Sequence, residues 1–190
     1  MVEHPVIAFT SASAFRDWLE LNHATHTGLW MKISKKDSVI ASISYAEALD
    51  EALCFGWIDG QKKPFDKLCW LQKFTPRRSK SAWSKINTQH VERLIKAGAM
   101  TPAGIKAVEA AKAEGRWETA YVASKSAIPP QDFLQELSKN KKAEAFFKTL
   151  NKTNAYSVVY RLETAKKSET RTKRMKMILA MMEQGQTFHP

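Results

Sequence analysis

Cysteine is scarce in this chain of 190 residues: there are two, Cys54 and Cys69, both in apolar surroundings and without metal-ligand spacing. A disulfide scaffold is therefore not expected, and the pair reads as reduced core thiols of a cytosolic protein. Long hydrophobic runs are missing as well. None approaches the roughly 18 apolar residues that span a bilayer. The opening MVEHPVIAFTSASAF has no basic segment followed by a continuous apolar one, so no secretory signal is read there. These absences point to a cytoplasmic protein that does not insert into membranes. Phosphate loops, dinucleotide fingerprints, zinc motifs and nucleophile elbows are also absent, and no cofactor is expected. His23 and His26 have metal-like spacing, but no cysteine or third histidine accompanies them, so no metal is expected either. Finally, negative charge is in short supply: 19 Asp and Glu face 30 Lys and Arg, a net charge of +11.

What is present describes a folded protein. The chain is 44% hydrophobic, 26% charged and has six tryptophans, enough for one good core or for a domain with a smaller appendage. Charge is unevenly placed. Residues 60–100 hold ten basic against two acidic residues, and residues 139–176 hold twelve against three, while residues 1–59 hold four against eight. Two basic blocks behind an acidic first third suggest an anionic partner, a small ligand or nucleic acid. The plainer reading is a solvated basic face.

The pattern predicts an α+β fold. Ser11 or Ser13 caps a helix running to about Asn22. In GLWMKISKK (residues 28–36), Leu29, Met31 and Ile33 alternate with Trp30, Lys32 and Ser34, which is a strand. Ser44 and Glu47 form a capping box for a helix that Gly56 ends. WIDGQ and KLCWLQKF read as a hairpin joined across KKPFD, because Pro64 and Asp66 favour the turn. Helices follow from about residue 87: one stopped by Gly98, one capped by Thr101 with Pro102 in its first turn, and four more to the end. In the last, Met175, Ile178, Leu179 and Met182 share a helical face and read as core. The expected organisation is a small antiparallel sheet with helices over residues 1–122, then an all-helical subdomain over 130–185, with VASKSAIPP (122–130) as linker.

Two stretches stand out for chemistry. FGWIDGQ (55–61) places Asp59 in a strand, where aspartate is poorly suited. Trp57 is expected on the opposite face and Gln61 on the same one, with Arg77 or Arg78 as an ion-pair partner. FTPRRSKSAWSKIN (74–87) offers Arg77, Arg78, Lys80 and Lys85 as anion contacts and Trp83 as a stacking surface for a base. Arg116 and Arg171 form a second set. Arg171 extends the apolar stripe of the last helix; a half-buried arginine needs a carboxylate, and Glu163 or Glu118 is the expected partner. The candidate ligand-binding residues are thus Trp57, Asp59, Arg77, Arg78, Lys80, Trp83, Lys85, Arg116 and Arg171; no catalytic residue is assigned.

FRDWLELNHA, GLWMKISKK, SYAEALDEALCFGWIDGQKKPFD, FTPRRSKSAWSKIN, LIKAGAMTPAGIKAVEAAKAEGRWETAY and AKKSETRTKRM together resemble, in that order, the bacterial YdeI/OmpD-associated (OmdA-like, bacteriocin-protection) family. The likeness covers about residues 8–185. It implies a stress- or resistance-associated protein and brings no catalytic residues. The expectation is accordingly a non-enzymatic protein binding an anionic partner through a basic face. The alternative is a small enzyme using Asp59 with Arg77 and Arg78 on an anionic substrate. A structural role in a homodimer fits the sequence too.

Overall fold

The computed structural model describes residues 3–36, 38–122, 128–165 and 167–190. The chain divides into two compact units. One holds Met1–Ala82 with Asn87–Glu118, and the other holds Trp83–Ile86 with Thr119–Pro190. Most of the linker segment foreseen over 122–130 falls outside the described residues.

The fold is α+β. In the first unit, β1 (Val6–Ala8), β2 (Leu29–Ser34), β3 (Trp57–Pro64) and β4 (Cys69–Pro76) form one sheet in the order β1-β2-β4-β3. The two long pairings are antiparallel, as expected, but β1 runs parallel to β2 and makes the sheet mixed. The sequence reading had no strand at Val6–Ala8. Three residues carry too little alternation to be seen, and β2 beside them supplies the ladder.

Helices α1 (Ala12–Asn22) and α2 (Tyr45–Cys54) cover one face of this sheet. Ser11 caps α1 by accepting from the Ala14 amide. Ser44 and Glu47 close both halves of the expected capping box on α2. Phe15 and Trp18 of α1 meet Phe74 and Trp57 at ring distances of 5.8 Å in each case, and Tyr45 of α2 meets Trp70 at 6.1 Å. Leu29, Met31, Phe74 and Trp57 are almost wholly buried beneath them.

The hairpin departs from expectation. Lys62, Lys63 and Pro64 do not form its turn but extend β3, opposite Gln72, Leu71 and Trp70. Proline is tolerated there because β3 is an edge strand and Pro64 is its last residue. The turn follows, and Asp66 Oδ1 accepts from the Leu68 and Cys69 amides at 2.8 and 2.6 Å. A bulge between Asp59 and Lys62 shifts the register. Buried Gln72 answers it, its Nε2 lying within 2.9 to 3.3 Å of the carbonyls of Gly60, Gln61 and Lys73.

Helices α3 (Lys85–Lys96) and α4 (Pro102–Ala113) follow. Thr101 caps α4 and also donates, through its amide and hydroxyl, to the carbonyl of Cys54 at 3.1 and 2.7 Å. This anchors the start of α4 on the end of α2, where Gly56 takes φ 73°. The two backbones approach so closely that a Cβ on Gly104 would overlap the Cys54 carbonyl oxygen.

The second unit contains α5 (Gln131–Ser138), α6 (Lys141–Thr149), α7 (Lys152–Glu163) and α8 (Ser168–Glu183). Its core joins Phe133, Leu137, Val158, Leu162, Met175, Ile178 and Met182, with Leu179 partly buried against it. The methionine-rich face of α8 is thus core packing, as its spacing indicated.

Candidate functional site

Most of the residues singled out in the sequence are occupied in holding the fold. Trp57 is 1% exposed. Its Nε1 donates to the His23 carbonyl at 3.1 Å. Asp59 lies on the same face as Trp57, not the opposite one, because side chains two apart along a strand coincide. The bulge that begins after Asp59 breaks the expected relation to Gln61. The carboxylate faces the helices and accepts from the Tyr45 hydroxyl at 2.8 Å. Burial, and then the negative charge of Asp59, push the Tyr45 hydroxyl well above its ordinary range. The ion pair expected between Asp59 and Arg77 or Arg78 is not formed.

Arg77 is turned into its own loop, where Nη1 donates to Ser81 Oγ at 3.4 Å and the Ala82 carbonyl at 3.3 Å. Arg116, also buried, braces that loop, donating from Nη1 to the Ser81 carbonyl at 3.2 Å. Its Nε reaches the Glu114 carboxylate at 2.9 Å. Arg78 and Lys80 are exposed. In the second unit, Trp83 is 2% exposed and has no ring face to offer a base. Its carbonyl accepts from the Tyr121 amide, and the Lys85 amide donates to the Tyr121 carbonyl, both at 2.9 Å. The Lys85 side chain is exposed. Arg171 is clasped by Asp132, in place of Glu163 or Glu118, with Nη2 2.7 Å from both carboxylate oxygens. Hydrogen bonding from Arg171 keeps the Asp132 carboxyl below its usual range.

The basic face of the sheet is built from other residues. Alternation sends Trp30, Lys32 and Ser34 of β2 away from the helices, and the register brings Lys73 and Lys63 to the same side. Lys63 Nζ sits 4.3 Å from the centre of the Trp30 ring, and Lys73 Nζ 5.7 Å from it. Lys32 Nζ lies 4.7 Å from the Phe65 ring and 3.7 Å from Asp66. No carboxylate pairs with Lys63 or Lys73 among the described residues. Leu71 and Cys69 of the same face are buried, so its cationic and aromatic surface is confined to the part around Trp30, Lys63 and Lys73. Sequence reasoning had Trp30 and Lys32 on the polar side of β2. It lost Lys62 and Lys63 by assigning them to the turn.

Chemically, such a surface attracts anions and offers an indole edge and face beside the ammonium groups. Reduced cysteine reactivity fits this picture, since burial pushes the Cys54 thiol up to about 11.

Residues 7–107 match the family described as a domain of unknown function (DUF8412). Residues 126–185 match the family described as OmdA: bacteriocin-protection, YdeI or OmpD-associated. No curated protein and no solved structure matches the chain. The chain therefore belongs to the DUF8412 family, whose match takes in its sheet, and its C-terminal helices are similar to the YdeI/OmpD-associated (OmdA) family over residues 126–185.

Proposed function

We propose that this is a non-enzymatic, stress- or resistance-associated cytoplasmic protein that binds single-stranded nucleic acid on the open face of its sheet. The observation that carries the reading is the convergence of Lys63 and Lys73 on Trp30, with no carboxylate among the described residues to neutralise either lysine. Lysine ammonium groups suit phosphate oxygens as point charges, and a tryptophan edge or face accepts a base of any sequence. The opposite face of the sheet is spent on the core, so ligand and helices do not compete for the same side chains. The family description, bacteriocin protection, supports the resistance role. Two free, buried cysteines suit a reducing compartment.

Fluorescence anisotropy of a labelled 20-nucleotide RNA or DNA strand tests the binding. Affinity should fall with salt at a slope of about −2 in log–log form, the value for three phosphate contacts on a single strand. Lys63→Ala with Lys73→Ala should reduce that slope by more than half. Absence of binding at low salt, or equal binding to polyglutamate of matched charge, would overturn the reading.

A further inference from the structure

The described arginines of the second unit fall into two kinds. Arg171 caps the end of α7, donating from Nη1 to the Leu162 carbonyl at 2.6 Å, and is saturated by Asp132. Arg174, one turn along α8, does the same for the neighbouring carbonyl: its Nη1 donates to Arg161 O at 2.7 Å and lies 3.4 Å from Thr164 Oγ1. No carboxylate meets it among the described residues. Its Nε and Nη2 therefore keep their donors. Arg161 is held differently, with its guanidinium 4.0 Å from the centre of the Phe188 ring. It too has no carboxylate partner among the described residues.

These two arginines line one cleft of about 340 Å³ together with Tyr160, Thr164 and Met177. Two of the carbonyls that would repel an anion there are already covered. Tyr160 O accepts from the Thr164 amide and hydroxyl at 3.0 and 2.6 Å, and Arg161 O accepts from Arg174. That offsets the negative end of the α7 dipole. A guanidinium fork is made for the oxygens of a phosphate, and two forks in one cleft match a doubly charged tetrahedral anion better than a single carboxylate.

We infer that the cleft between α7 and α8 is a second, independent site that binds a phosphomonoester group, with Arg161 and Arg174 as its two forks. Its size admits the phosphate and a small attached group, not a folded macromolecule. The site owes nothing to the sheet surface, and each can stand without the other.

Isothermal titration of the full chain with inorganic phosphate, phosphoserine and dimethyl phosphate, at fixed ionic strength, tests the assignment. Inorganic phosphate and phosphoserine should bind at least tenfold more tightly than the monoanionic diester. Arg161→Met should weaken both at least tenfold while leaving the thermal transition in place, because its guanidinium donates no hydrogen bond among the described residues. Arg174→Lys, which can still reach Arg161 O but loses the fork, should weaken them similarly. The Lys63→Ala, Lys73→Ala protein should bind phosphate as the native chain does, so loss of nucleic-acid binding and loss of this site are told apart. Phosphate binding that survives Arg161→Met, or that equals the diester's, would overturn the inference.

Discussion

The two faces of the four-stranded sheet use the same residue types for opposite ends. On the helix side, Trp57 and Trp70 pack against Trp18 and Tyr45, and the one carboxylate, Asp59, is held by a hydroxyl. On the open side, Trp30 is flanked by ammonium groups rather than rings. A strand's two-residue period is all that separates them. Aromatic content, or even the spacing of aromatic and charged residues, therefore does not mark a binding surface. What marks it is which face the helices leave uncovered.

Substitutions on the two sides should separate stability from binding. Trp57→Ala should do the greatest damage, about 3–5 kcal/mol, because a fully buried indole leaves a cavity beside Trp18; chemical denaturation followed by circular dichroism reads it. Gln72→Ala should cost about 1–3 kcal/mol by leaving the carbonyls of the bulge without a donor. Hydrogen exchange should localise that loss to β3 and β4. Tyr45→Phe removes one half-exposed hydroxyl bond to Asp59 and should cost about 1 kcal/mol or less. Smallest of all in stability, Lys63→Ala and Lys73→Ala should stay within about 0.5 kcal/mol of the native chain. If Lys63→Ala destabilised the fold as Gln72→Ala does, the contrast between the faces would collapse.

Local signals in the sequence were reliable where a single turn of chain decides the outcome. Ser44 with Glu47, Thr101 with Pro102, and the Leu29–Met31–Ile33 alternation each act over a few residues and appear as read. The hairpin turn was misplaced because Pro64 and the lysines before it disfavour a central strand but not the end of an edge strand. Partner choice was legible only as chemistry. That Arg171 would need a carboxylate followed from its burial, whereas Asp132 was selected by packing across elements. The candidate surface was harder still, since Trp30, Lys63 and Lys73 lie on three different strands and meet only through the order β2-β4-β3.

That order leaves β3 with an unpaired backbone edge, of the kind that recruits a strand from another molecule. Its outer stretch carries a bulge, two exposed lysines and a terminal proline, each of which discourages such pairing. Lys63, offered to a ligand, is thus also part of what keeps one copy of the sheet from extending into the next. Neutralising Lys62 and Lys63 together should be felt first as self-association at high protein concentration, before any change in folding.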